Sequence, residues 1–324
     1  MNQNILQSAE EPVAMVGEAV HVFGPASLSN LGPGFDALGL CIAHVGDHIE
    51  AAFSDAPGVR LEYVPGPIDW TPPADVSRNT AVAAAEVVRA RLMPEAGVVL
   101  RLRKGIPLGS GIGGSAASAV GGAWAVNKLF GCPLDKSDLV DAVLAGEAEA
   151  SGSLHGDNVL PALFGGLVLV SSSDPTRYRR IELPGPLPVA VVMPSVEILT
   201  RQAREMLPKQ VALRDAIHNA AELAFLLDAF RSGDWETVGR CVMQDRLVEP
   251  VRAALVPCYA SVRRAALEAG AFGCALTGSG PAMFALAASP ADAARIAEAM
   301  VDASRADGID AKGLATEANA RGVD

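Results

Sequence analysis

The stretch Ile106-Pro107-Leu108-Gly109-Ser110-Gly111-Ile112-Gly113-Gly114-Ser115-Ala116-Ala117 lies between an extended apolar run and an alanine-rich run of helical character. Glycine has no Cβ, so successive N–H groups in such a string can turn toward one point. A helix starting directly behind it adds unpaired first-turn amides and the positive end of its dipole. The string therefore reads as a phosphate cradle. The lysine-bearing nucleotide loop needs Lys after its last glycine, but Gly114 is followed by Ser115 and Ala116. Gly109, Gly111 and Gly114 match the dinucleotide spacing, yet that fingerprint also needs an acidic residue ending a second strand about 20 residues on. Here the chain runs through a helix to Gly131-Cys132-Pro133 and then into another helix. A third reading has the Ser115 hydroxyl, in the first helical turn, placed to hold a metal ion on the phosphates. The alternative is a glycine-rich turn that only packs a helix onto a sheet, as Gly121-Gly122 could.

The whole chain bounds what that loop can belong to. Its 324 residues suffice for two domains of ordinary size, and 50% hydrophobic with 19% charged residues describes a globular protein. A net charge of -11 argues against a nucleic-acid or anionic-membrane surface and favours small soluble partners. No apolar run approaches the length of a membrane span, and Met1 to Val16 lacks the pattern of a secretory signal. Five cysteines, none in C-x-x-C spacing, disfavour a disulfide framework and a zinc site. They are expected to be small core residues in a reducing cytoplasm.

Two further stretches carry the same character as the loop: Pro25-Ala26-Ser27-Leu28-Ser29-Asn30-Leu31-Gly32-Pro33-Gly34-Phe35-Asp36 and Leu276-Thr277-Gly278-Ser279-Gly280-Pro281-Ala282. Together with Pro107 to Ala117 they resemble, in order, the three motifs of the GHMP kinase superfamily, the kinases of galactose, homoserine, mevalonate and phosphomevalonate. The first motif and His155-Gly156-Asp157-Asn158-Val159 are most similar to the homoserine kinase branch. The resemblance implies an α+β protein of two domains behind a flexible tail (1–17). These are a ribosomal-protein-S5-like α/β nucleotide-binding domain (18–172) and a ferredoxin-like α+β domain (173–324) that contributes to the substrate site. It implies transfer of the ATP γ-phosphoryl group to the side-chain hydroxyl of L-homoserine in threonine biosynthesis, with ATP and Mg2+. A kinase for another small alcohol such as mevalonate, or a non-catalytic nucleotide-binding regulator, is the alternative, and a homodimer is a possible assembly.

Along the chain, Ala19–Phe23, Ala37–Ile42, Ile49–Phe53 and Val59–Tyr63 read as four strands. Asn30 and Asp36, in the constrained loop between the first two, are either turn formers or, by the resemblance, the residues that hold the amino and hydroxyl groups of the substrate. Asn79 opens an Ala/Val-rich helix that Ser77 is placed to cap; Asn79 resembles the residue meeting the adenine, with a capping role of its own as the alternative. Lys104 reads as a solvated lysine, with a phosphate contact as the alternative. Glu147 and Glu149 sit near a helix C-terminus, where acids oppose the dipole and need a counter-charge. By the resemblance Glu147 is the second metal ligand beside Ser115.

The resemblance also places His155 and Asn158 at the substrate, with Asn158 where some relatives carry a catalytic aspartate and with Asp157 pointing elsewhere. Polar, proline-bearing Ser171 to Gly185 reads as the domain boundary. Beyond it, Thr200 and Arg204 lie one helical turn apart, and with Arg252 the resemblance assigns them to the substrate. Arginine forks suit a carboxylate; surface ion pairing is the plainer role.

Overall fold

The computed structural model describes residues 18–68, 78–152 and 154–324; the expected tail (1–17) and the Ser77 cap lie outside them. The first sheet is organised around one long strand, β2 (Leu38–Ser54). One edge of β2 pairs antiparallel with β1 (Val20–Ser29). Its other edge is shared by β5 (Leu167–Ser171) at Leu38–Leu40 and by β4 (Gly97–Arg103) at His48–Ser54. β3 (Gly58–Tyr63) lies parallel to β4, and β6 (Asp174–Ile181) antiparallel to β5. Two expected strands thus merge into β2. The chain between them bends, with His44 at φ 63 and a register shift against β1, but the pairing resumes on both sides and keeps a single strand.

Helices α1 (Thr80–Leu92), α2 (Gly114–Leu129), α3 (Val140–Ser151) and α4 (Val159–Phe164) complete the first domain. Alanines let α1 and α2 approach closely, and their apolar faces close a core with Val22, Ile49, Leu100, Val120 and Val126. Gly121 does pack helix to sheet, since a Cβ there would stand 2.2 Å from Ile49 Cδ1.

The second sheet has the order β10-β7-β9-β8, antiparallel throughout, from β7 (Pro188–Pro194), β8 (Gly273–Leu276), β9 (Met283–Leu286) and β10 (Ala311–Glu317). With helices between β7 and β8 and again between β9 and β10, this is the split βαβ arrangement of a ferredoxin-like domain. Its helices are α5 (Thr200–Glu205), α6 (Leu213–Ser232), α7 (Trp235–Val242), α8 (Glu249–Arg252), α9 (Tyr259–Glu268) and α10 (Pro290–Ala306). Ser289 caps α10 and Pro290 fills its first turn.

The boundary placed at 172/173 needs correction. β6 belongs to the first sheet, so the change of domain falls between Ile181 and Pro188. Its Asp174, Arg177 and Arg179 are exposed, because an edge strand with one wet face reads like a linker. The chain also returns to the first domain after β10: Ala318 bridges to Ile42, Asn319 N–H donates to the Cys41 carbonyl, and Val323 is buried in the first core. Four cysteines are buried; Cys132 departs from expectation by being exposed at a turn.

Candidate active site

The phosphate loop meets α2 at Gly113, whose φ of 71 lies in the left-handed region. A Cβ there would sit 2.3 Å from Ser27 Oγ, so only glycine fits. No side chain caps α2, which leaves its first-turn amides and dipole for an anion. Ser115 Oγ donates to Glu147 Oε2 of α3 at 3.1 Å. Glu147 is buried, and its carboxyl is pushed up to about 8, by desolvation first and by the charge of Asp157 second. A buried acid joined to a hydroxyl beside an anion cradle is a donor set suited to a hard divalent cation. Asn79 does cap α1, its Oδ1 accepting from Ala81 N–H at 2.9 Å, and it also lines the cleft.

Lys104 overturns its expectation. Far from solvated, it is buried, ion-paired to Asp47, and donates to the Gly114 carbonyl and to Ser118 Oγ, both at 3.0 Å. Asp47 in turn accepts from Ser118 Oγ at 2.6 Å and from Gly105 N–H at 3.0 Å. The lysine's protons are thus committed to fastening the start of α2 to the sheet. Three loop residues expected at the nucleotide, Ile112, Ala116 and Ala117, turn their side chains into the cores.

At the other end of the cleft, Asn30 and Asp36 adopt φ of 74 and 53, unusual for non-glycine residues and found where surroundings fix the backbone. Asn30 does the fixing: its Oδ1 accepts from Asp36 N–H at 3.2 Å and its Nδ2 donates to the Gly278 carbonyl at 2.9 Å. Arg204 reaches across from α5 and grips Asp36 with two bonds of 2.8 Å, the bidentate geometry of a strong pair. Arg252 is different. It is only 3% exposed, gives Nη1 to the Gly278 carbonyl at 2.7 Å, and has a buried Nε without a hydrogen-bond partner. Among the described residues no carboxylate pairs with it. Both guanidiniums lie over the Phe35 ring, at 5.5 and 5.0 Å.

Asn158 is held on both sides, its Oδ1 accepting from Ser27 Oγ at 2.9 Å and its Nδ2 donating to Ser29 Oγ at 3.0 Å. Asp157 does not point elsewhere; it lines the cleft, and burial, followed by the charge of Asp36, pushes its carboxyl up to about 7. His155 lines the same space with its pKa lowered by burial and then by Arg204, and so is neutral at pH 7. Thr200 stands at the mouth, 3.5 Å from Ser279.

The Thr277 turn locks these parts together. Thr277 Oγ1 accepts from Ser29 N–H at 3.0 Å and donates to the Gly111 carbonyl at 3.2 Å, while Ala282 N–H donates to the Ser110 carbonyl at 3.1 Å. Three stretches far apart in sequence therefore wall one cleft of about 400 Å³ that holds Ser115, Glu147, Asp36, Arg204 and Arg252. Residues the sequence reading missed are Asp47, Ser118, Phe35 and Arg78. Arg78, beside the start of α1, carried a signal: a cation opposes a helix N-terminus unless an anion is nearby.

Comparison with known proteins agrees with this geometry. The chain matches the GHMP kinases N terminal domain over residues 79–166 and the GHMP kinases C terminal model over residues 226–305. It is 41% identical to the homoserine kinase of Pyrococcus abyssi over 265 residues, covering 82% of this chain and 86% of the relative. It is 38% identical to that of Xanthomonas campestris, with 98% of each covered. The crystal structure of homoserine kinase from Cytophaga hutchinsonii superposes with a TM-score of 0.89 at 37% identity over 99% of both chains. Mevalonate kinase of L. major, 18% identical with a TM-score of 0.71 over 96% of this chain and 98% of its own, shares the fold.

Proposed function

The chain belongs to the GHMP kinase family, and from that premise we propose that it transfers the γ-phosphoryl group of ATP to the side-chain hydroxyl of L-homoserine. The product is O-phospho-L-homoserine, a step on the way to threonine. One observation carries the choice of substrate: the cleft pairs an anion cradle at one end with a receptor for a zwitterion at the other. Asp36 suits an ammonium group, and Arg252, buried with an unpartnered Nε, suits a carboxylate. An amino acid entering between Asp36 and Arg204 exchanges one internal ion pair for contacts to both of its own charges. A hydroxy acid without an amine lacks half of that compensation.

Phosphoryl transfer needs in-line positioning and neutralisation of charge more than covalent help. Gly109, Ser110, Gly111, Gly113, Gly114 and Ser115 line the cleft where α2 offers its amides to the phosphates. Ser115 and Glu147 would hold magnesium, whose charge neutralises the phosphate oxygens. Lys104 acts through the backbone, keeping the loop on the sheet. Asn158, its amide committed to Ser27 and Ser29, orients the cleft wall beside the acceptor hydroxyl. Asp157, a cleft carboxyl that titrates in the neutral range, is the group able to take up the hydroxyl proton. Among the described residues no helix is long and apolar enough to cross a membrane, and the four buried cysteines suit the reducing cytoplasm.

The test incubates the purified protein with Mg-ATP and L-homoserine, mevalonate, galactose or 4-hydroxybutyrate, following ADP release and identifying the product by ³¹P NMR. Acceleration by L-homoserine with a new phosphomonoester is expected. Acceleration by another alcohol with none by L-homoserine would overturn the assignment.

A further inference from the structure

Arg252 ends α8, a helix of only four residues. A single turn has too few internal hydrogen bonds to hold its own shape, and no side chain caps it at Val248. It is held instead from upstream. Asp245 Oδ1 accepts from Leu247 N–H at 2.8 Å, Oδ2 accepts from Glu249 N–H at 2.7 Å, and the two oxygens share Val248 N–H at 3.2 Å. The carbonyl of Val248 in turn accepts from Arg252 N–H at 3.0 Å. The Asp245 carboxylate thus reaches the backbone of Arg252 through Val248 alone.

Asp245 is itself tied down. Its Oδ1 accepts from Asn219 Nδ2 of α6 at 2.8 Å, and Asn219 Oδ1 accepts from Arg246 N–H at 3.0 Å. Both side chains are buried, and among the described residues Asp245 makes no salt bridge. A buried carboxylate is costly unless its donors are well placed, and charge-assisted bonds to amides are strong ones. An ordinary helix cap is slighter: Asp234, which caps α7, is exposed and accepts from Thr237 N–H only.

The other end of Arg252 is fixed as well, by the Gly278 carbonyl and the Phe35 ring, while its Nε stays open. The like charge of Arg204 opposes the guanidinium, and Asp245 is among the carboxylates that favour it. A fork held at both ends and short of one partner is preorganised for a carboxylate.

We propose that Asp245, anchored by Asn219, is a positioning residue for substrate recognition: by clamping the turn before α8 it aims Arg252 at the carboxylate of the amino-acid acceptor. Asp245 does not line the cleft and acts only through Arg252. The inference rests on the function proposed above for the same cleft.

A double-mutant cycle on the full-length protein tests it, with kcat and the KM for L-homoserine from steady-state assays and nucleotide affinity from calorimetry with Mg-ADP. Asp245→Ala should raise the KM roughly tenfold and leave kcat and nucleotide affinity within about twofold. In an Arg252→Ala background nothing remains to be aimed, so the same substitution should change the KM by less than about twofold. Should Asp245→Ala fail to fold, Asp245→Asn, which keeps one oxygen for the amides, takes its place in the cycle with a smaller rise. An unchanged KM overturns the inference. So does an equal rise in both backgrounds, or a fall in kcat and nucleotide affinity alongside the KM, since those mark general loosening of the domain. An unaltered protein that ignores L-homoserine overturns the proposed substrate and this inference together, whereas equal rises in a protein that phosphorylates L-homoserine overturn the inference alone.

Discussion

The phosphate end of the cleft is drawn from one continuous stretch, Pro107 to Ser115, with Glu147 arriving a helix later in the same domain. The amino-acid end collects Asn30 and Asp36 from the first domain and Arg204, Arg252 and the Gly278 carbonyl from the second. The first end works mostly with backbone groups fixed by glycines and by the buried Lys104–Asp47 pair. The second works with charged side chains that meet across the domain junction. In the function proposed, binding the phosphates therefore rests on local sequence, and choosing the acceptor rests on how the two domains are docked.

Substitutions at the two ends should separate in kinetics. The largest effect belongs to Glu147→Ala, which removes the acid paired with Ser115. It should lower kcat by roughly 100-fold or more with a smaller change in the KM for homoserine; steady-state assays at ordinary magnesium check this, and near-normal kcat would remove Glu147 from the metal. Arg252→Ala comes next. Loss of a buried charged partner costs about 3 kcal/mol, so the KM for homoserine should rise roughly 100-fold while nucleotide affinity, read by calorimetry, holds. Arg204→Ala should be milder, because Arg204 is half-exposed and acts partly by holding Asp36. We expect roughly a tenfold rise in KM and a smaller preference for homoserine over 4-hydroxybutyrate; an unchanged preference would place the pair outside substrate recognition.

The smallest effect sharpens the comparison from beneath Arg252. Glu249, at the start of α8, accepts from Tyr259 Oη at 2.7 Å and from Leu276 N–H at 3.2 Å. Burial pushes its carboxyl up to about 7 despite those donors. A carboxyl with its folded pKa above its unfolded value holds its proton more tightly in the folded chain, so its contribution to stability is lost as pH rises through about 7. Glu249→Gln keeps an acceptor for both donors and removes the titration. Melting curves at pH 5 and pH 8 should show a smaller loss for the variant than for the unaltered protein.

Element types were largely legible. The expected strand Val59–Tyr63 falls within β3 and the Ala/Val-rich helix opened by Asn79 is α1, because apolar alternation and helix caps are local signals. The misreadings share one cause. β6 looked like a linker because it is an edge strand with a wet face, and Lys104 looked solvated because its counter-charge, Asp47, is far back in the chain. Asp157 could not be placed from its neighbours, since its direction depends on how the turn before α4 seats against β1.

By itself the sequence pointed to an anion cradle at Gly109 to Ser115 with a hydroxyl in the first turn behind it, because glycine spacing and helix ends act over a few residues. Only the tertiary structure decided that Glu147 stands 3.1 Å from Ser115, that Asp36 is gripped by Arg204, and that Arg252 is buried with an open Nε. Those facts are set by contacts across helices and domains, where burial and charge depend on the packing of the whole chain and leave no mark in residue order.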